Sequence, residues 1–278
     1  MRGNPVSSTP AGGAREPVLF VRAGGRRLEY RWFEPVHVRD GMPVLVFLHE
    51  GLGSVALWKS FPADVAAATG CPALVYSRHG YGKSEKLTQL RAVDYMHREA
   101  LDVLPEVLNQ LGIEKPVLIG HSDGASIALI HAGAGRQMPR GLVVLAPHVF
   151  VEEITIRSIE AARRAFDSSD LPARLGRYHD DVQSTFRGWN DIWLDPAFRN
   201  WNIEEFLAGI RCPVLAIQGE DDEYGSRAQI AAIARQVSGK ARMLLLPSCA
   251  HAPFVDRRDD TLSAIKDFLS GLSSPAMS

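Results

Sequence analysis

A serine held between two glycines, Gly120-His121-Ser122-Asp123-Gly124, has the most pointed chemistry in the chain. It follows the apolar run 116–119 and leads into the apolar stretch 125–130, an order of strand, tight turn and helix. Such a turn lifts the serine oxygen clear of a sheet. Side chains two residues to either side would collide there, so both 120 and 124 need glycine. The helix that follows aims its first amides at any oxyanion forming beside the serine. The chemistry these residues suit is nucleophilic attack on a carbonyl.

A hydroxyl is a weak nucleophile near neutral pH, so it needs a base, and the base needs an orienting acid. Candidates for both lie downstream. After the apolar run 213–218 come Glu220, Asp221 and Asp222, just past the carboxyl end of an expected strand. After the run 242–247 comes His251, in a loop before the last expected helix. Catalytic groups of open α/β sheets collect at such strand ends. A single loop histidine would carry little weight, but serine, acid and histidine together make a consistent set. A histidine base implies activity that declines as pH falls through roughly 6 to 7.

These residues require a sheet to position them, and the hydropathy pattern supplies one. Segments 18–22 and 27–34, separated by Ala23-Gly24-Gly25, read as an antiparallel hairpin. Unbroken apolar runs follow at 44–48, 73–76, 117–119, 142–145, 214–217 and 243–246, as strands buried on both faces would have. Between them, 94–111 has near-helical periodicity, with Pro105 placed to kink or split it. Residues 124–132, 227–237 and 261–269 are further helix candidates. Alternating strands and helices imply βαβ units around a mostly parallel sheet.

The interval 147–210 breaks this rhythm. It lacks strand patterns, is helix-like over 154–165, and holds three of the five tryptophans, Trp189, Trp193 and Trp201. It reads as a helical cap over one end of the sheet, whose aromatics either glue it to the core or line a pocket beneath it. The expected division is a disordered arm over 1–16, a core of 17–147 and 209–272, a cap of 148–208, and a disordered tail over 273–278.

Composition narrows the function classes. A net charge of -1 gives no electrostatic footprint for nucleic acid or an anionic membrane. Cys71, Cys212 and Cys249 are too few and too irregular for a disulfide framework or a zinc site. The first sixteen residues have no apolar core of a secretory signal, and no segment is long enough to span a bilayer. A cytoplasmic protein acting on a small molecule is expected; oligomeric state is not legible.

The chain resembles the α/β-hydrolase superfamily from about residue 18 to 272. Besides the serine turn and the late acid and histidine, two landmarks carry the likeness. His49-Glu50-Gly51-Leu52-Gly53 resembles the oxyanion loop after the third strand, and Ser77-Arg78-His79-Gly80-Tyr81-Gly82-Lys83-Ser84 resembles the arginine-glycine turn after the fourth. The resemblance implies the α/β-hydrolase fold, with a small helical cap inserted after the sixth strand. It implies Ser122 as nucleophile, His251 as base and, from its glycine-x-x-acid spacing, Asp222 rather than Asp221 as acid. It also implies an oxyanion hole from the amides of Asp123 and of the 49–52 loop, with Gly51 favoured. This loop departs from the pattern, which has glycine where Glu50 stands. Glu50 either faces the pocket or pairs beside the loop. With Leu52, Trp189 and Trp193 it completes the candidate substrate contacts.

The leading expectation is hydrolysis of a small, largely uncharged carboxylic ester through an acyl-enzyme, with no metal or organic cofactor. Serine in the turn argues against dehalogenase and epoxide hydrolase chemistry, where aspartate stands there. Rivals on the same fold are a carbon–carbon bond hydrolase of aromatic ring-cleavage products, a thioesterase or a lactonase. A rival of another class is a non-catalytic receptor for a small ligand.

Overall fold

The computed structural model describes residues 17–37 and 41–273. The arm expected over 1–16 lies outside them, as does the tail, except for Ser273, which ends the last helix. Eight strands form one sheet: β1 Leu19–Ala23, β2 Arg26–Phe33, β3 Leu45–Leu48, β4 Ala73–Tyr76, β5 Val117–His121, β6 Gly141–Leu145, β7 Val214–Gly219 and β8 Ala241–Leu246. Their order is β1-β2-β4-β3-β5-β6-β7-β8. β1 and β2 form the expected antiparallel hairpin, β2 joins β4 antiparallel, and all later pairs are parallel.

Two cores explain the unbroken apolar runs of β3 to β7, whereas β8, expected to be buried on both faces, is an edge strand with Met243 41% exposed. Val46 and Leu48 of β3, Leu118 of β5 and Val144 of β6 face one layer of helices. Their neighbours Leu45, Phe47, Ile119 and Val143 face the other. Period-two alternation between two apolar layers needs no polar face. From β3 the chain moves to β4 on one side and then to β5 on the other, so the direction of winding reverses between β3 and β5. A crevice opens at the carboxyl ends of strands at such a reversal. The His49 loop and Ser122 both occupy it.

The expected helix over 94–111 is present but not uniform. It runs as an α-helix Tyr95–Arg98, a π-turn Glu99–Val103 and an α-helix Leu104–Gln110. Pro105 has no N–H to donate, and the widened turn ends two residues before it. Between β6 and β7 the chain builds the cap from helices Glu153–Ser168, Leu171–Leu175, Val182–Trp193 and Glu204–Leu207, with a 3-10 turn Pro196–Asn200. The last helix, Arg258–Ser273, is longer than the apolar periodicity over 261–269 suggested, because its first turn is polar. No helix of the described residues is long and apolar enough to cross a membrane.

Candidate active site

β5 ends at His121, and the helix Asp123–Gly133 begins two residues later. Ser122 makes the whole turn between them, with φ 52° and ψ -117°. A non-glycine residue reaches that conformation only under constraint. The constraint is a helix laid close against the sheet. A Cβ at Gly124 would lie 2.0 Å from the main-chain oxygen of Leu48, and one at Gly120 would lie 2.4 Å from that of Gly124. Ser122 is fixed from the other side by its own amide, which donates to the Leu145 carbonyl at 2.9 Å.

Three chain segments converge on the serine. Oγ of Ser122 is 3.0 Å from Nε2 of His251, and Nδ1 of His251 is 2.8 Å and 3.0 Å from the two carboxylate oxygens of Asp222. A carboxylate only accepts, so Nδ1 carries the proton and Nε2 presents its lone pair to the hydroxyl. The loop bearing His251 is itself moored: the Asp221 amide donates to the Cys249 carbonyl at 2.9 Å.

The structure separates the neighbouring acids cleanly. Asp222 turns inward, with a side chain only 1% exposed, while Glu220 and Asp221 face solvent. The amides of Tyr224 and Gly225 donate to Asp222 at 2.8 Å and 3.2 Å, and Gln218 Nε2 donates to its other oxygen. Burial pushes the Asp222 carboxyl up, but the His251 hydrogen bond and charge and the Tyr224 amide outweigh it and hold the group below its ordinary value.

The loop after β3 is held by its histidine. Nε2 of His49 accepts from the Arg78 amide at 3.0 Å, and Nδ1 donates to the Glu50 carbonyl at 2.7 Å. Burial, then the nearby Arg78 charge, depress the basicity of His49 and keep it neutral for that pair of bonds. The cap holds the same loop from above. His179 accepts from the Gly82 amide at 3.0 Å and donates to the Leu52 carbonyl at 2.9 Å.

Asp123 points away from His251 into a buried network. It accepts from Tyr95 Oη at 2.7 Å and Trp193 Nε1 at 3.3 Å, and Arg78 lies 3.5 Å away. Its acid group is thus committed to structure, leaving its main chain to face the serine.

A cavity of about 120 Å³ opens on Ser122. Of the nine residues favoured for the site from sequence, all but Asp222, which sits behind His251, border it: Glu50, Gly51, Leu52, Ser122, Asp123, Trp189, Trp193 and His251. Four further lining residues, His148, Thr155, Ile159 and Tyr224, escaped the sequence reading. His148 stands three residues past the end of β6, a strand-end position that could have flagged it. It is 2% exposed, its Nδ1 has no hydrogen-bond partner among the described residues, and burial first, then the His251 charge, push its pKa down to about 3. No cluster of potential metal ligands occurs among the described residues.

The profile of the alpha/beta hydrolase family matches residues 45–264, most of the chain. The chain belongs to the alpha/beta hydrolase family. Within it, the chain is 24% identical over 295 residues to a proline iminopeptidase from Saccharolobus solfataricus, covering 92% of this chain and 93% of that one. It is 26% identical over 203 residues to the mouse (Mus musculus) serine hydrolase BPHL, with 70% and 68% covered. Among solved structures, the enol-lactonase from Burkholderia xenovorans LB400 superposes with a TM-score of 0.71 at 19% identity, over 91% of this chain and 100% of that one. Hydrolysis is the activity this family membership supports.

Proposed function

We propose that this alpha/beta hydrolase cleaves a small, largely uncharged carboxylic ester through an acyl-enzyme on Ser122. The observation that carries the reading is the unbroken contact from Asp222 through His251 to Ser122 Oγ, opening directly on the cavity. His251 takes the serine proton as Oγ attacks the ester carbonyl, and Asp222 holds the ring and stabilises the imidazolium. The amides of Asp123 and Gly51 receive the oxyanion. His251 then protonates the departing alcohol, and water repeats the sequence to release the acid.

The relatives carry differently named activities, so the substrate class rests on the cavity. Its volume is small beside the roughly 300–1,000 Å³ of drug-sized ligand sites, and Trp189, Trp193 and Ile159 give it apolar walls. Its carboxylates already face partners within the protein, Asp123 against Arg78 and Glu50 against His121. That leaves little call for a charged substrate. The cytoplasmic location expected from sequence belongs to the same proposal, and the buried thiols of Cys212 and Cys249 suit a reducing compartment.

The test is turnover of p-nitrophenyl acetate, butyrate and octanoate, with and without a fluorophosphonate, beside Ser122→Ala. Hydrolysis that favours the short esters, is blocked by fluorophosphonate and falls by roughly 10⁴-fold or more in the variant is expected. Undiminished rates in Ser122→Ala would end the nucleophile assignment. Labelling of Ser122 without ester turnover would move the reading to carbon–carbon bond cleavage or to a ligand receptor.

A further inference from the structure

Glu50 stands where the resembling loops carry glycine, and its own loop is shaped around it. A Cβ at Gly53 would fall 2.4 Å from Oε2 of Glu50 and 2.6 Å from its Cδ. The bare glycine lets the carboxylate fold back toward β5, where Oε2 lies 3.4 Å from Nδ1 of His121. The other ring nitrogen of His121, Nε2, lies 2.8 Å from the main-chain oxygen of His251. One ring therefore links the strand that carries the nucleophile to the loop that carries the base.

Hydrogen-bond accounting fixes the state in which both contacts work. A carbonyl oxygen only accepts, so Nε2 of His121 must bring a proton. A carboxylate only accepts as well. The Glu50 side chain keeps 24% of its surface exposed, enough solvent to hold a carboxylate in its ordinary ionised form at neutral pH. With Glu50 ionised, both bonds exist together only when His121 is an imidazolium.

Such a cation needs a counter-ion, because the ring is 3% exposed and packs on Trp58 and Phe254 at centroid distances of 6.3 Å and 5.2 Å. Glu50 is the carboxylate in contact. The arrangement also bears on the base, since the rings of His121 and His251 are 5.1 Å apart. When His251 takes the serine proton, a second cation forms beside the first, and the Glu50 charge offsets it. The other groups facing His251 are Asp222, Ser122, Tyr224 and His148, and burial keeps that last ring neutral.

We propose that Glu50 and His121 act as a charged positioning pair, in which Glu50 holds His121 as an imidazolium and His121 anchors the main chain of His251 and sets the charge around its ring. The role of the pair rests on His251 being the base; the protonation state does not.

Two measurements on the full chain test it. In ¹⁵N-histidine NMR at pH 7, with His121 assigned through its ring-to-backbone correlations, both ring nitrogens are expected to be protonated. In Glu50→Gln the ring is expected to be neutral with its proton on Nε2. A neutral His121 in the unmodified protein, or an imidazolium that persists in Glu50→Gln, overturns the pair. The second measurement is the rate of Ser122 labelling by a fluorophosphonate, which needs no knowledge of the substrate. His121→Gln leaves the Glu50 carboxylate unpaired near His251 and favours a protonated base. Its labelling rate at pH 6 relative to pH 8 is expected to fall about 3- to 10-fold against the unmodified protein, equivalent to half to one pH unit. Adding Glu50→Gln to His121→Gln should restore the ratio. No fall in the single variant, or the same fall in the double, overturns the proposal. Absence of labelling even in the unmodified protein would instead sink the serine hydrolase reading, with the NMR result still deciding the pair.

Discussion

The indole of Trp189 fills the space that a side chain at Gly51 would need: a Cβ there would lie 2.0 Å from Nε1 and 2.2 Å from Cδ1. The cap and the loop after β3 are therefore fitted to each other at a bare glycine. Gly51→Ala should push Trp189 out of the cavity wall or the loop off the serine, lowering kcat/KM by roughly 10- to 100-fold for a contact this close to the chemistry. In a Trp189→Ala background the same change should cost much less, because the colliding ring is gone. Ester kinetics on the four proteins would check this, and equal costs in both backgrounds would mean that the indole is not what excludes a side chain at 51.

The inward turn of Asp222 predicts an asymmetry between two adjacent acids. Asp222→Asn replaces the acceptor-only carboxylate that fixes the His251 tautomer with an amide that can also donate, and should lower kcat on the order of 10³- to 10⁴-fold. Asp221→Asn keeps the main-chain bond to Cys249 and changes only a solvent-facing group, so roughly threefold or less is expected. A reversed order in steady-state kinetics would move the orienting role to Asp221.

The difference in how far sequence reached follows from what each feature depends on. β3 to β7 were legible because strands buried on both faces leave unbroken apolar runs, and the Gly120–Gly124 turn because the crossing of helix and strand excludes side chains at fixed positions. The candidate triad was legible because its members sit just past three apolar runs. The π-turn before Pro105 was not, since periodicity alone does not distinguish a kink from a widened turn. Nor were Thr155, Ile159 and Tyr224, which border the cavity through packing between cap and core that has no sequence period. Glu50 fits both of its readings at once, bordering the cavity while pairing with His121, 71 residues away, a combination that only the folded chain brings out.

His148 makes the protein sensitive to acid in a predictable direction. The unfolded chain protonates this histidine near its ordinary value of 6.5, whereas burial keeps the folded one neutral until about pH 3. Between those values the unfolded state binds more protons, so stability rises with pH. The contribution is complete above about pH 6.5 and is lost progressively below it. At pH 5 the loss from this group is about 2 kcal/mol, from 1.36 kcal/mol per pH unit. Burial also lowers His49, His131 and His179, which act in the same sense. Urea unfolding at pH 7.5 and pH 5 should show a smaller stability loss in His148→Asn than in the unmodified protein. An identical loss would mean that His148 titrates alike in both states.

Backbone strain at Ser122 gives a prediction opposite to the usual ranking of small residues. Of the four non-glycine residues with positive φ among those described, three lie in the turns around the site: Ser122 at 52°, Ala146 at 46° and Ser248 at 51°. A strained turn of this kind costs about 1–3 kcal/mol, held in place by the packing around it. Ser122→Ala keeps a Cβ and with it the strain, whereas Ser122→Gly removes both. Glycine normally loses about 0.5–1 kcal/mol to alanine through the freedom of the unfolded chain. Here relief of the turn should exceed that loss, making Ser122→Gly more stable than Ser122→Ala by about 1 kcal/mol, or roughly 2–4 °C in Tm. Both variants lose the hydroxyl bonded to His251, so the comparison isolates the backbone. Thermal unfolding of the pair under the same buffer decides it: a glycine variant that melts below the alanine one would mean that the turn at Ser122 holds no strain to release.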